Sequence, residues 1–442
     1  MNLLIRNTRL LLPDGDRFRV EEADLVIRGD RIGQILPPKE AKASDDTRIL
    51  DGERRLVMPG LINAHTHAYM GLFRNYADDL EFFQWLEKVQ LVEDRMTLED
   101  SYWATLLSIA EMLRTGTTSF VDMYMHSTKT GAVSGPEGAV SAAVNDSGIR
   151  AFLSRGMVGE ACDDGTRRRL SEWLPEMELH RDNPRIRFLL GPHATYSCMP
   201  DLLKRLRDIG LERQMMATIH IAESETEFRN MARDHDGITP VQYVEQSGLF
   251  DRPVIAAHCV QVTQEDLRIL KEHNVSVAIN PRSNMKLGNG FAPLGRMLEA
   301  GINVCLGTDG SGSNNTQNLF QEMNFAGLVY KGAEKKARCV DAEDVLRFAT
   351  SQGAKALQME GELGVIRPGA LADLILLDLD VPQFIPANNP VSALVYSANG
   401  SEVRTVIVNG QIVMEEGRLL TIDEKEVFAR CEEISSRLGM KS

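Results

Sequence analysis

Two histidines separated by one residue, His65 and His67, directly follow an apolar run that ends at Ala64. Side chains alternate along an extended chain, so the two imidazoles point to the same side. Neutral imidazole is a ligand that suits Zn²⁺ or Fe²⁺. Two histidines in this spacing are also common on surfaces and in cores. Their place at the end of an apolar run, with Pro59-Gly60 inside it, favours a metal site.

A third imidazole and a carboxylate follow later apolar runs. His220 lies in the segment IHIAESE, with Glu223 three residues further on, and Asp309 lies in LGTDGSGSNN. A lone histidine on such a run is more often a core residue, and Asp-Gly is more often a turn. Taken with His65 and His67, however, His220 and Asp309 complete a metal-ligand set. A carboxylate just beyond a ligand can shuttle protons, and we predict this role for Glu223.

Two further histidines also end apolar runs, His193 in GPHATYS and His258 in AAHCV. Each could be a further ligand, a base or a packing residue. Because His220 already supplies the third imidazole, we predict that His193 contacts substrate. We predict that His258 orients or deprotonates the attacking water.

Eight short apolar runs alternate with amphipathic helical stretches in the middle of the chain. The runs are VMPGLINA, TTSFVDMY, IRAFLS, RIRFLLG, MMATIHIA, PVIAAH, VSVAIN and NVCLGTD. Such alternation is typical of parallel βα units, and eight of them predict a closed (β/α)8 barrel of the TIM type. Active sites of these barrels lie at the carboxyl ends of the strands, which is where the histidines and Asp309 fall.

Both chain ends are rich in short strands. The apolar and polar residues alternate in a similar way at both ends. The segments are LLIRNTRLLL and ADLVIRGDRIGQIL at the start, and ADLILLDLD, SALVYSA and VRTVIVNGQIVMEEGRLL near the end. Chain ends often lie close together in folded proteins. We therefore predict a small composite β-sandwich domain from residues 1–58 and 361–442, beside a barrel that spans residues 59–360.

The composition excludes several classes of protein. The net charge of −14 disfavours nucleic-acid binding. The six cysteines lie far apart without a CxxC pair, which favours a reducing cytoplasm over a secreted disulfide scaffold. No apolar stretch is long enough to predict a membrane span. We expect a small-molecule substrate and a homo-oligomer in the cytoplasm, with no nucleic-acid or membrane partner.

The order of these residues resembles the amidohydrolase superfamily. Its members carry HxH after strand one, histidines after strands five and six, and aspartate after strand eight, and GELGVIRPGALADLILLD is similar to their segment returning to the β domain. The resemblance implies a metal-dependent hydrolase whose Asp309 is both ligand and base. Many members hold two metals with a lysine at strand four. Here that strand ends in Gly191-Pro192-His193, which implies one divalent ion, zinc before iron.

Longer stretches resemble the deaminases of adenosine derivatives within that superfamily, whose substrates include 5′-methylthioadenosine, S-adenosylhomocysteine and adenosine. The stretches are SRGMV, GPHATYSC, AAHCV, NPRSNMKLGNGFAP and LGTDGSGSNNTQNLFQEM. The resemblance implies that Glu93 binds the ribose hydroxyls and that Trp85 lines the nucleoside pocket. It implies that Arg155 and Arg167 engage the ribose or an amino-acid carboxylate, and that Ser313 faces the ligand. Composition alone assigns Trp85 to helix packing and Arg167 to the solvated surface.

Related enzymes on the same scaffold leave alternatives open. Triazine chlorohydrolases or aminohydrolases and other purine or pterin deaminases share the metal site but act on other substrates. The segment HSTKTGAVSGPEGAV, at residues 126–140, is longer than the resemblance predicts and could reshape the pocket. The hydrolase prediction is therefore firmer than the choice of a nucleoside.

Overall fold

A closed ring of parallel strands forms the centre of the molecule. The computed structural model describes residues 2–125 and 138–441. Each barrel strand pairs in parallel with the next one along the chain. The strands are β6 (Leu61–Thr66), β7 (Thr117–Tyr124), β8 (Arg150–Met157), β9 (Ile186–Pro192), β10 (Ala217–Ile221), β11 (Val254–His258), β12 (Ser276–Ile279) and β13 (Asn303–Leu306).

Hydrogen bonds beyond the end of the last barrel strand connect it to the first strand. Beyond the end of β13, the backbone N–H groups of Thr308 and Asp309 donate to the carbonyl of His65, at 3.1 and 3.0 Å. A Cβ at Gly307 would collide with Asn280 and His65, so only glycine allows this approach. The predicted (β/α)8 barrel is confirmed.

Helices connect and cover the strands. Several helices begin at a capping box. In it, the side chain of the first residue accepts the backbone N–H three positions on, and the side chain at that position accepts the backbone N–H of the first residue. The first residues of these boxes are Thr97, Thr239, Thr263 and Asp341. None of the helices in the described ranges is long and apolar enough to cross a membrane. The helices are α1 (Phe82–Glu93), α2 (Leu98–Arg114), α3 (Ala139–Ser147), α4 (Asp164–Leu179), α5 (Pro200–Arg213), α6 (Glu225–Asp234), α7 (Pro240–Ser247), α8 (Gln264–Glu272), α9 (Pro281–Lys286), α10 (Leu294–Glu299), α11 (Ser311–Asn314), α12 (Leu319–Glu334), α13 (Ala342–Phe348), α14 (Ser351–Ala356), α15 (Pro390–Tyr396) and α16 (Glu424–Arg437).

A second, mixed sheet combines both chain ends. Its strands are β1 (Asn2–Asp14), β2 (Arg17–Arg28), β3 (Arg31–Leu36), β4 (Thr47–Asp51), β5 (Arg55–Pro59), β14 (Leu374–Asp378), β15 (Val403–Val408), β16 (Gln411–Glu415) and β17 (Arg418–Leu419). The two ends meet where β5 pairs antiparallel with β14. The predicted β domain from both termini is confirmed, and hydrogen bonds join its strands into one continuous sheet. Apolar residues from both ends, such as Leu3 and Leu374, share a core there.

Two apolar stretches fold differently from the prediction. VMPGLINA is divided between the sheets, because β5 ends at Pro59 and β6 begins at Leu61. SALVYSA was expected to be a strand, but Ser392–Tyr396 belong to helix α15. The side chain of Asn389 caps this helix and Pro390 occupies its first turn, two local signals that favour a helix. The domain boundaries at residues 58 and 361 stay a prediction.

Candidate metal centre and active site

Five side chains from four strand ends, two of them at the end of β6, converge at one end of the barrel. Donor atoms of His65, His220, His258 and Asp309 all lie within 4.8 Å of one another. His67 joins them, because its Nε2 lies 3.2 Å from Nε2 of His220 and 3.4 Å from Oδ1 of Asp309. All five residues are buried. The structure therefore brings together the four predicted ligands and His258.

Hydrogen bonds to carbonyl groups orient two of the imidazoles. Nδ1 of His67 donates to the carbonyl of Met123 at 2.7 Å, and Nδ1 of His220 donates to that of His193 at 2.6 Å. A carbonyl oxygen only accepts, so the proton of each ring lies on Nδ1 and the Nε2 lone pair faces the cluster. Nε2 of both His65 and His258 is buried without a hydrogen-bond partner. Buried nitrogen atoms without partners, all directed at one point, fit a bound cation.

Electrostatics give these residues the charges that a metal site requires. Burial lowers the pKa of His65 to about 4 and that of His220 well below its usual value, so both rings are neutral at pH 7. Burial alone would raise the pKa of Asp309, but the nearby imidazoles of His65, His67 and His258 lower it well below the usual range. Neutral imidazoles beside one carboxylate are a donor set typical of Zn²⁺ or Fe²⁺.

Hydroxyl groups hold the carboxylate of Asp309. Its Oδ2 accepts hydrogen bonds from Ser283 at 2.6 Å and from Ser313 at 2.7 Å, while Oδ1 faces the imidazoles of His65 and His67. The structure thus places the Ser313 hydroxyl on the side of Asp309 away from these imidazoles. Ser283 was not singled out from the sequence, because it lies at no strand end and has no catalytic signature.

Glu223 presents a buried carboxyl group beside the cluster. Its Oε1 accepts a hydrogen bond from Asn289 at 3.3 Å and lies 3.8 Å from Nε2 of His258. Burial raises the pKa of Glu223 well above its usual value, and the charges of Asp309 and Glu227 raise it further. A carboxyl group with a raised pKa keeps its proton to higher pH, which suits a general acid.

Glu227 fixes the backbone that carries Glu223. Its carboxylate accepts the N–H groups of Ala222 at 3.2 Å and Glu223 at 2.6 Å, together with the hydroxyl of Thr195. The spacing from Ser224 to Glu227 is that of a capping box, which would assign the Glu227 side chain to the helix terminus. Only the serine half of that box forms, and the Glu227 side chain is directed at the Ala222–Glu223 backbone instead. Glu227 is a positioning residue that sequence reasoning missed.

Three of the predicted substrate contacts lie around the centre. The ring of His193 lies 5.0 Å from that of His220, measured between centroids, and its Nδ1 is 2.8 Å from the Ser197 hydroxyl. The indole N–H of buried Trp85 donates to the carbonyl of Gly312 at 3.0 Å, close to Ser313 in the chain. Glu93 accepts a hydrogen bond from Tyr69, whose ring meets that of His67 edge-on.

The two predicted arginines have different surroundings. Arg155 is buried, donates to Glu172 at 3.2 Å and lies 4.6 Å above the ring of Tyr124. Arg167 is exposed and pairs with Asp164 in its own helix, so the structure does not bring it to Arg155. Arg169 is half-buried, its Nε has no partner, and its charge contributes to the lowered pKa of His193. A helix carrying three successive arginines offers no local signal of which one faces inward.

The long segment at residues 126–140 lies mostly outside the described residues. Residues 126–137 are not described, and α3 begins at Ala139. The prediction that this segment reshapes the pocket therefore stays a prediction.

The sequence profile of the amidohydrolase family matches residues 56–413, which include the whole barrel and every residue of the centre. The chain belongs to the amidohydrolase family. Its membership identifies this amidohydrolase as a hydrolase that uses a divalent metal ion, and the cluster of histidines and Asp309 has the geometry to hold one.

Curated relatives match this amidohydrolase along nearly its full length. It is 41% identical to a 5-methylthioadenosine/S-adenosylhomocysteine deaminase of Caldanaerobacter subterraneus, with 99% of each chain covered. It is 40% identical to a protein of the same name from Dictyoglomus thermophilum, over 100% of both chains.

Solved structures show the same architecture. An adenosine deaminase from Xanthomonas campestris with bound zinc superposes with a TM-score of 0.91 at 29% identity, covering 99% of each chain. An atrazine chlorohydrolase from Arthrobacter aurescens complexed with zinc has a TM-score of 0.88 at 25% identity, covering 98% of this amidohydrolase and 99% of the other chain. Enzymes that release different leaving groups thus share this fold.

Proposed function

We propose that this amidohydrolase removes ammonia by hydrolysis from the adenine of 5′-methylthioadenosine, S-adenosylhomocysteine and adenosine, leaving the inosine analogues. The observation that carries the proposal is the buried carboxyl group of Glu223, whose pKa is raised, beside the histidine and Asp309 cluster. The names of the full-length relatives support the same substrate class.

The metal ion of the proposal is a single Zn²⁺, with Fe²⁺ as the alternative. His65, His67, His220 and Asp309 would hold it, and His258 would remain free to act on water. When bound, such an ion lowers the pKa of water towards about 7 and so supplies hydroxide at neutral pH. The zinc-containing structural relatives support zinc as the first choice.

The reaction follows from the charges of the surrounding residues. Glu223 donates its proton to N1 of the adenine, which makes C6 electrophilic. Asp309, ionised and assisted by His258, accepts a proton from the water that adds at C6. A tetrahedral carbon results, a proton passes to the exocyclic nitrogen, and the C6–N bond breaks to release ammonia. Acid–base assistance of this kind is worth about 10²–10⁴ in rate.

The remaining contacts would select a nucleoside. Glu93 would accept the ribose hydroxyls, while Trp85 and His193 would line the pocket around the nucleoside. Arg155 would bind an amino-acid carboxylate through charge-assisted hydrogen bonds. Arg169 would assist it in place of the exposed Arg167, because Arg169 is the arginine whose unpaired Nε is buried near His193.

Glu223→Gln tests the chemistry directly. The variant keeps the size of the side chain but cannot donate the proton, so we expect kcat to fall by about 10²–10⁴ for all three nucleosides while the metal content stays unchanged. Ammonia release and elemental analysis measure the two quantities. Glu225→Gln is the matched control, since Glu225 is exposed and pairs with Arg229.

Two outcomes would contradict the proposal. Wild-type turnover by Glu223→Gln would exclude the shuttle role. Chloride release from a chlorotriazine by the wild-type enzyme, without ammonia release from any of the nucleosides, would favour the alternative activity named for the Arthrobacter relative. Homo-oligomeric assembly and a cytoplasmic location stay predictions.

A further inference from the structure

A second cavity lies at the opposite end of the barrel from the metal centre. It has a volume of about 700 Å³, within the range of about 300–1,000 Å³ that small-molecule sites occupy. Its lining includes the residues just before β10 and β11 and those at the start of β9. We call it the basal cavity. Met216, just before β10, lines this cavity, whereas His220 in β10 belongs to the metal centre.

The floor of the basal cavity is apolar. Phe152, Leu189 and Leu357 are each about 1% exposed and belong to the apolar cluster that fills this part of the barrel. Met216 packs partly buried against the same cluster, and the half-buried Phe188, whose ring contacts Trp173 and His180, also lines the cavity. A ligand that covers this floor would remove apolar surface from water.

The rim of the basal cavity is basic. It carries the guanidinium groups of Arg181, Arg187, Arg213 and Arg252 against the single carboxylate of Glu178. Arg181 pairs with Glu178, and Nε of Arg252 donates to the carbonyl of Met215 at 3.3 Å. Within residues 2–125 and 138–441, neither Arg187 nor Arg213 has a carboxylate partner. Four arginines around one opening contrast with the net charge of −14 of the whole chain.

Arg187 lies in an environment that an anion would improve. Partial burial lowers the pKa of its guanidinium and the charge of Arg150 lowers it further, while the charge of Glu362 opposes the shift. Arg150 cannot turn towards the cavity, because Asp373 and the carbonyl of Pro184 hold its guanidinium. An anion beside Arg187 and Arg213 would offset this repulsion and accept hydrogen bonds from both groups.

We propose that the basal cavity is a second ligand site, which binds an organic anion with an aromatic or aliphatic body and a phosphate or carboxylate group. The body covers the floor formed by Phe152, Phe188 and Met216, and the anionic group binds Arg187 and Arg213 at the rim. The site is separate from the metal centre and does not depend on the reaction that occurs there.

Titration calorimetry on the metal-loaded protein tests this site with three matched probes. They are 1-naphthyl phosphate, 1-naphthoate and the neutral 1-naphthalenemethanol. We expect at least one anion to bind at least about tenfold more tightly than the alcohol, and the preferred anion distinguishes a phosphate site from a carboxylate site. The double variant R187Q/R213Q should weaken binding of that anion by at least about tenfold, because it removes the charge-assisted hydrogen bonds from both arginines.

The control removes the same charge elsewhere. R205Q/R338Q changes two exposed arginines that do not line the cavity, and its affinity for the anion should stay within about twofold of the wild type. R213Q alone, at the end of α5, provides the same comparison should the double variant fold poorly. Equal affinity of the wild type and R187Q/R213Q, or no binding of either anion by the wild type, would overturn the proposal.

Discussion

We expect substrate binding to depend on pH through Glu93, the proposed acceptor of the ribose hydroxyls. Burial raises its pKa to about 7, although the hydrogen bond from Tyr69 opposes the shift. Below pH 7 the carboxyl group is protonated and offers the ribose hydroxyls a weaker acceptor. We therefore expect KM for 5′-methylthioadenosine to rise up to about tenfold as the pH falls from 8 to 6.

The Glu93→Gln variant isolates this group. Its KM should be high and nearly independent of pH over the same range, and steady-state kinetics measures both profiles. Glu87→Gln, an exposed glutamate on the same helix α1, should keep the wild-type profile. A wild-type profile in Glu93→Gln would show that another group causes the dependence.

Residues whose role depends on a strand end could be predicted, and residues whose role depends on a neighbouring element could not. His65, His220 and Asp309 follow apolar runs, so their convergence followed from the barrel alone. Glu227 and Ser283 contact the site only because α6 and α9 pack against it. Arg167 and Arg169 differ by two positions on one helix, and the side that faces inward is set by packing.

At the scale of elements, α15 shows a local signal overruling an apolar pattern. Asn389 accepts the N–H of Ser392 at 2.9 Å and Pro390 begins the helix. The apolar run that follows is therefore helical and does not form a strand. All eight barrel strands were predicted, because each contains a short apolar run between turns, although the first predicted run extended too far. β5 and β6 were merged in the prediction, because Pro59-Gly60 marks a boundary between sheets that no hydrophobic pattern reveals.

Removing the cap of α15 should therefore destabilise the protein measurably. We expect Asn389→Ala to lower the free energy of unfolding by about 1 kcal/mol, because the first turn of α15 loses an acceptor. Asn388→Ala is the control, since the structure shows no cap by that side chain. Urea unfolding measures both variants, and equal stability of the two would contradict the role of the cap.

At the scale of the whole molecule, a buried ion pair joins the barrel to the terminal sheet. Arg150, at the start of β8, donates to both carboxylate oxygens of Asp373, at 2.6 and 3.0 Å, and both side chains are almost fully buried. Asp373 also accepts the N–H of Asn409, and its carbonyl accepts that of Gly60. The sequence predicted two domains but not this contact, because Arg150 and Asp373 lie in segments with no shared pattern.

Breaking one side of this pair should be costly. Asp373→Asn leaves the Arg150 guanidinium buried without a counter-charge, so we expect the free energy of unfolding to fall by about 3–5 kcal/mol. Glu362→Gln, which removes the exposed ion pair with Arg31, should change it by no more than about 1 kcal/mol. Denaturant unfolding compares the two, and a similar small loss in both would exclude the buried pair as the main link.

The pairing of β5 with β14 also has a consequence for synthesis of the chain. About 300 residues separate the two strands, so β5 leaves the ribosome long before its partner. At about 5–20 residues per second, the wait is about 15–60 s. During that time β5 has only the short parallel contact with β1 in its sheet, and its free edge is open to wrong partners. All eight barrel strands are synthesised before β14, so the terminal sheet, whose first strands are made at the start of synthesis, can close only near its end.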